Sequence, residues 1–268
     1  MTENAPILIV NTEANMPVWV KEQLIVYENG RSYLHIQSAA NPQYRNQAGT
    51  YMIQLDEPSI ETAKNIISDL LILAPQADRL FPDGSRRSIT VNKDGNSQSH
   101  LLPAQVLAKI SPALKKAVVW VNELTAQLHS APLAVVALRA KVKSMPNELP
   151  ILLLTCENLG KEAVNFLFRP ESLSVLAESG QAIVPIWQNS QPERSGLIDG
   201  SGNLVDGVFT AAQLEPGRSA TAVYSQTSPA IQSSMQVQLA GWIELYRMER
   251  ETAVTPQDNM RLVTQLTD

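Results

Sequence analysis

Trp19-Val20-Lys21-Glu22-Gln23-Leu24-Ile25-Val26-Tyr27-Glu28-Asn29-Gly30-Arg31-Ser32-Tyr33-Leu34-His35-Ile36-Gln37 decides how the first half of this chain folds. Bulky residues run from Trp19 to Tyr27 and resume from Arg31 to Gln37, with Glu28-Asn29-Gly30 between them. Asn-Gly is the strongest short hairpin signal, because both residues tolerate positive φ. The stretch predicts two antiparallel strands joined by a tight turn.

Working outward, Ile7–Val10 is a short β-rich run, and the polar loop Ser38–Ala48 leads to another strand over Gly49–Leu55. A helix follows, capped by Asp56 or Glu57, with Pro58 tolerated in its first turn. Ile60, Ala63, Ile66, Ile67, Leu70 and Leu71 fall on one face of it. Strands over Ser88–Asn92 and Ser97–Leu102 flank a second hairpin turn at Asp94-Gly95. Ser111-Pro112 opens a second helix, which buries Leu114, Ala117, Val118, Val121, Leu124 and Leu128 and ends near His129. Leu133–Val142 closes the series as a strand. The order β-β-β-β-α-β-β-α-β predicts an α+β domain over residues 1–143, an antiparallel sheet with two helices.

Residues 144–150, Ser144-Met145-Pro146-Asn147-Glu148-Leu149-Pro150, read as a linker. Beyond them the helical period disappears. Ile151–Glu157, Ala163–Phe168, Leu173–Ala177, Ile183–Gln188, Val205–Thr210, Ala220–Tyr224 and Val237–Arg250 all read as strands. Short strands separated by turn signals over residues 151–250 predict an all-β sandwich. Residues 251–268 read as a polar tail, either a frayed extension or a short docking helix.

Two resemblances attach to these residues. Leu24-Ile25-Val26-Tyr27-Glu28-Asn29-Gly30-Arg31, then Gly49-Thr50-Tyr51 and an amphipathic helix, resembles small bacterial α+β proteins of the emfourin type over about residues 19–130. That resemblance implies a protein inhibitor of thermolysin-like metalloproteases. Asn15-Met16-Pro17-Val18-Trp19 stands where that family has Gly-Gly-Phe-Ala-Gly, so no inhibitory residue carries over. In the second half, Asn158-Leu159-Gly160-Lys161 and Leu214-Glu215-Pro216-Gly217-Arg218 are similar to turns of Ig-like sandwiches. They imply a fold and carry no activity.

Composition bounds the function classes. The chain has 268 residues, 44% hydrophobic and 18% charged, with a net charge of −5. A mildly acidic chain argues against non-specific nucleic-acid binding, and Arg86-Arg87 and Lys115-Lys116 read as isolated doublets on solvated faces. No apolar run approaches the roughly 20 residues of a membrane span. The start, Met1-Thr2-Glu3-Asn4, has no basic region before an apolar one, so no secretory signal is expected. Cys156 is the only cysteine, which suits a reducing cytoplasm.

Catalytic signatures are sparse. His35, His100 and His129 lie far apart and form no zinc motif, so they read as surface or half-buried residues and no metal is expected. His129 would sit at a helix C-terminus, where a cation suits the dipole. Gly200-Ser201-Gly202 is an incomplete phosphate fingerprint, and 199–210 departs from a calcium loop at Leu204 and Thr210. Cys156, inside an apolar strand, reads as a buried structural thiol rather than a nucleophile. No cofactor is expected.

What stands out is two long polar loops, each carrying an aromatic residue and an arginine. Ser38–Ala48 holds Tyr44 and Arg45, and 187–203 holds Trp187 and Arg194. Tyr, Trp and Arg are favoured anchors in protein interfaces. The leading expectation is a cytoplasmic, non-enzymatic protein that binds or inhibits another protein by occlusion. The alternatives are an enzyme using dispersed carboxylates in an interdomain cleft, and a structural subunit assembling through sandwich edges.

Overall fold

The computed structural model describes residues 5–14, 19–74, 86–102, 110–143, 151–168, 174–176, 182–185, 196–198, 204–206, 212–225, 235–245 and 258–267. It is an α+β fold, mostly strand. Contacts divide the chain into two units, Met1–Ile36 with Thr50–Pro132, and Gln37–Gly49 with Leu133–Asp268. The elements of the first half are β1 (Pro6–Ala14), β2 (Val20–Tyr27), β3 (Arg31–Ser38), β4 (Gln47–Gln54), α1 (Glu57–Leu71), β5 (Arg86–Lys93), β6 (Asn96–Leu101), α2 (Pro112–His129) and β7 (Pro132–Lys143). This is the order that the sequence predicts.

In the first unit β1 lies between two antiparallel partners. Leu8 faces Val26 on β2 and Val91 on β5, and Val10 faces Leu24 and Ile89. All six side chains are buried, so this register places one apolar face toward the core. β6 pairs with β5 on the far side of β1. The helices supply the complementary stripes. α1 buries Ala63, Ile66, Ile67 and Leu70, and α2 buries Leu114, Ala117, Val118, Val121, Leu124 and Leu128. Each fully buried aliphatic side chain contributes about 1.5–3 kcal/mol of transfer free energy.

Both helices start at capped ends. Asp56 Oδ1 accepts from the Ser59 amide at 3.0 Å, and Ser111 Oγ accepts from the Leu114 amide at 3.3 Å. Each cap satisfies one of the first-turn donors that the helix leaves unpaired.

The two hairpin turns differ. At Asp94-Gly95 both residues are left-handed, at φ 50° and 79°, between the paired Lys93 and Asn96. This is the two-residue turn expected of Asp-Gly. At Glu28-Asn29-Gly30 only Gly30 is left-handed, at φ 82°, and its amide donates to the Tyr27 carbonyl at 2.9 Å. The loop therefore has three residues, and Asn29 needs no positive φ.

The second unit adds β8 (Ile151–Asn158), β9 (Val164–Phe168), β10 (Ser174–Leu176), β11 (Ala182–Pro185), β12 (Gly196–Ile198), β13 (Leu204–Asp206), β14 (Ala212–Leu214), β15 (Ser219–Ser225), β16 (Gln236–Ile243) and β17 (Asp258–Thr267). One series of pairings runs β7–β8–β15–β12–β13, all antiparallel. In the other, β16 pairs with β17 along one edge and with β9 and β10 along its opposite edge. β14 and β11 lie outside those two. A parallel contact joins Leu266–Thr267 of β17 to Ala140–Lys141 of β7. Leu138, Leu154 and Cys156 from the first series share one buried core with Phe166, Leu239 and Leu262 from the second.

β7 thus belongs with the second unit, through a ladder that pairs Val136 with Asn158 and Lys143 with Ile151. The expected linker, 144–150, lies outside the described residues. The expected tail is corrected: Asp258–Thr267 is a strand, burying Met260, Leu262 and Leu266 on one face. Spacings of two and four keep these residues on one side of a strand, whereas a helix would scatter them.

Candidate functional site

Of the histidines and the cysteine, His35, His100 and Cys156 are buried and His129 is half-buried. His35 is buried, with Nδ1 3.0 Å from Thr50 Oγ1 and its ring stacked on Tyr33 at 6.1 Å. His100 is 1% exposed on the inward side of β6, opposite Ile89. Burial lowers its pKa, and the Leu70 carbonyl opposes that shift. His129, at the end of α2, meets Tyr51 edge-on at 5.2 Å, and burial pushes its pKa down to about 4.

Two expectations are corrected here. His35 and His100 are core residues, not surface or half-buried ones. His129 is neutral at pH 7 and adds no charge to the helix dipole, because desolvation outweighs the dipole's attraction for a cation.

Cys156 is buried on β8, and burial pushes its thiol well above the usual range, so it carries no thiolate at neutral pH. Among the described residues, no three His, Cys, Asp or Glu side chains are grouped to hold a metal ion. No described helix is long and apolar enough to cross a membrane. Of the basic doublets, Lys115 and Lys116 are exposed, as expected, whereas Arg86 and Arg87 are half-buried. Lys116 pairs with Asp69 at 3.1 Å, and half-buried Arg87 donates to Asn122 Oδ1 at 2.9 Å.

Tyr44 and Arg45 lie in the second unit, where the segment 37–49 is built around a single 3-10 turn, Pro42–Tyr44. Asn41 caps it: its Oδ1 accepts from the Gln43 amide at 3.1 Å, and its carbonyl accepts from the Tyr44 amide at 3.0 Å. The next two residues are tied to strands. The Arg45 carbonyl accepts from the Val263 amide of β17 at 2.8 Å. The Asn46 carbonyl accepts from the Leu138 amide of β7 at 2.7 Å, and Asn46 Nδ2 returns a bond to the Leu138 carbonyl at 3.3 Å. The predicted loop is therefore a braced turn that carries Tyr44 and Arg45 in sequence, both half-buried. Trp187 and Arg194 lie outside the described residues.

A second feature was not legible in the sequence. In the first unit a cleft of about 500 Å³ opens where β1 begins, beside α1 and the β5–β6 turn. Pro6, Ile7 and Ile67 give it apolar surface, and Lys64, Lys93, Glu28 and Asp94 bring charge to it. Asn92 Nδ2 donates to the Pro6 carbonyl at 2.9 Å and fixes the strand end against the hairpin. Lys93 Nζ reaches Ser68 Oγ on α1 at 3.3 Å. The Asp-Gly turn is a local signal. The meeting of that turn with Lys64 and Pro6 depends on strand order, for which no local signal exists.

No protein-family model matches the chain, and no curated protein sequence matches it.

Proposed function

We propose that this is a non-enzymatic binding protein that holds another protein through the braced turn at 38–48, with Tyr44 and Arg45 as its anchors. The observation that carries this reading is the bracing itself. The Arg45 carbonyl is held by Val263 and Asn46 is held twice by Leu138, so the backbone under both anchors is fixed before a partner arrives. A pre-organised turn gives up little conformational entropy on binding, and Tyr and Arg are the residues that most often dominate interface energetics. Trp187 and Arg194 form the proposed second contact.

The resemblance of the first half to emfourin-type inhibitors makes a thermolysin-like metalloprotease the first partner to try. Two antiparallel strand series around one buried core support an Ig-like sandwich for the second unit. A lone buried thiol fits residence in a reducing cytoplasm.

The test is affinity capture from native lysate with the full chain, beside the Tyr44→Ala/Arg45→Ala variant, and residual cleavage by a thermolysin-like protease with each added. A partner or an inhibition that the wild type shows and the double variant loses supports the reading. Capture and inhibition that the variant retains in full would remove the turn from the interface.

A further inference from the structure

We propose that Asn29 is a site of spontaneous deamidation that the folded β2–β3 turn holds shut, with Gln54 as the latch. Asn29 is the only asparagine in the chain that precedes a glycine. A glycine amide has no Cβ beside it to hinder its approach to a neighbouring carbonyl. The reaction is internal. The Gly30 nitrogen bonds to Cγ of Asn29, the Cγ–Nδ2 bond breaks, and Nδ2 leaves as ammonia with the proton that Gly30 gives up. Water then opens the resulting succinimide. Opening at Cγ leaves aspartate, and opening at the backbone carbonyl leaves isoaspartate, whose chain runs through the side-chain carbon.

The electrophile is ready in the fold. Asn29 is exposed, so water reaches it. Its Oδ1 accepts from the Arg31 amide at 3.0 Å, which polarises the carbonyl under attack and offers a donor to the oxygen as charge develops there.

The nucleophile is what the fold withholds. Ring closure consumes the Gly30 amide proton and turns the peptide group between Asn29 and Gly30 about the Asn29 Cα–C bond. That peptide group is pinned at both ends. Its N–H donates to the Tyr27 carbonyl at 2.9 Å, and its oxygen accepts from Gln54 Nε2 at 2.7 Å. The carbonyl of Gly30 is held too, by the Leu55 amide at 2.9 Å and Ser32 Oγ at 3.3 Å. Gly30 is buried, and a Cβ there would lie 2.6 Å from Ile60 Cδ1 on α1, so the turn has no slack on that side.

Modification runs one way. Isoaspartate adds one carbon to the backbone of a three-residue loop, and the Tyr27–Gly30 bond that closes the loop cannot survive that lengthening unchanged. The fraction modified therefore counts the time that the hairpin has spent open.

The test is incubation of the full chain in mildly alkaline buffer, folded and in guanidinium, with the tryptic fragment 22–31 followed by mass spectrometry. In guanidinium Asn29 should convert, with isoaspartate exceeding aspartate. In the folded chain it should convert at least about tenfold more slowly, because reaction waits for opening. Gln54→Ala removes one pin. It should speed conversion of the folded chain about fivefold and raise hydrogen exchange at the Gly30 amide by the same factor, with the rate in guanidinium unchanged. Gln54 is exposed, so an unchanged melting temperature will show that the variant folds. Equal rates in the folded and unfolded chains overturn the proposal, as does an unfolded chain that keeps Asn29 intact. A folded Gln54→Ala chain that reacts and exchanges as the wild type does removes Gln54 as the latch.

Discussion

The side-chain amide of Asn158 donates to the carbonyl of Leu214, 56 residues away, at 2.8 Å. The same nitrogen donates to the Glu162 carbonyl at 2.8 Å, and Oδ1 accepts from the Gly160 amide at 2.8 Å. The backbone of Asn158 is also paired, its amide with the Arg218 carbonyl and its carbonyl with the Gly217 amide. One residue, 1% exposed, thus closes the turn after β8 and ties it to the turn between β14 and β15.

Asn158→Ala leaves the buried Gly160 amide and the Leu214 carbonyl without their partner, and frees the more exposed Glu162 carbonyl. Unmade buried hydrogen bonds cost about 1–3 kcal/mol each, and local relaxation recovers part of that, so a loss of about 3 kcal/mol is expected. For a chain of this size that is a fall of about 6–12 °C in melting temperature. Asn158→Asp should do no better, since a carboxylate keeps the acceptor, loses both donated bonds and buries a charge. Calorimetric melting checks both. A shift under about 2 °C in each would show that the turn is held by its other contacts.

Gly160 and Gly95 are expected to respond differently to alanine. A Cβ at Gly160 would lie 2.2 Å from the Leu133 carbonyl oxygen, so backbone must move, at a cost of about 2–3 kcal/mol. A Cβ at Gly95 meets nothing within 4 Å, and the only cost is the left-handed φ of 79°, about 1 kcal/mol. Urea denaturation of the two variants ranks them. Equal losses would mean that the close approach of Leu133 is not what fixes glycine at 160.

Unit one should lose stability in mild acid. His100 and His129 are both held below the ordinary histidine value by burial, so folding favours their neutral forms. The unfolded chain takes up protons at a pH where the folded chain does not. Their stabilisation is therefore fully present above pH about 6.5 and declines as pH falls, toward about 4 for His129. Asp56, lowered by its bond to Ser59, adds a loss of the same sign at more acidic pH. Stability measured by denaturant at pH 7 and pH 5 should fall, and His129→Gln should fall less steeply. An unchanged slope in that variant would place the acid sensitivity elsewhere.

Much of the first half was legible because its signals are local. Asp56, Ser111 and the six-residue stripe of α2 act within a few residues of themselves, and the Asp94-Gly95 turn needs no tertiary help. The rest depends on distant partners. Nothing in Leu133–Val142 says that Ala140 will pair with Leu154 and so draw the strand into the second unit. β12 and β14, three residues each, are too short to show a period. In β17 the polar Asn259, Arg261 and Gln265 hide an alternation that only its pairing with β16 makes visible. Tyr44 and Arg45 were visible as residue types on a polar stretch. The bonds from Val263 and Leu138 that turn the stretch into a braced presentation were not.

Cys156 should report on the centre of the second unit. It sits on β8, between β7 and β15, where Leu138 and Ala220 are its cross-strand partners. Burial keeps the sulfur protonated and out of reach of reagent, so both factors that make a thiol react are suppressed. An aromatic disulfide reagent in excess should give no colour with the native chain over hours and one full equivalent in guanidinium. If β8 opens only when the whole unit unfolds, the slow native labelling rate, extrapolated through denaturant, will give the same free energy as equilibrium unfolding. A faster rate would mean that β8 parts from one of its neighbours, β7 or β15, in a local opening. Asn158→Ala distinguishes these cases. It releases the end of β8 next to β15 and should speed labelling by the factor that its loss of stability predicts under global opening.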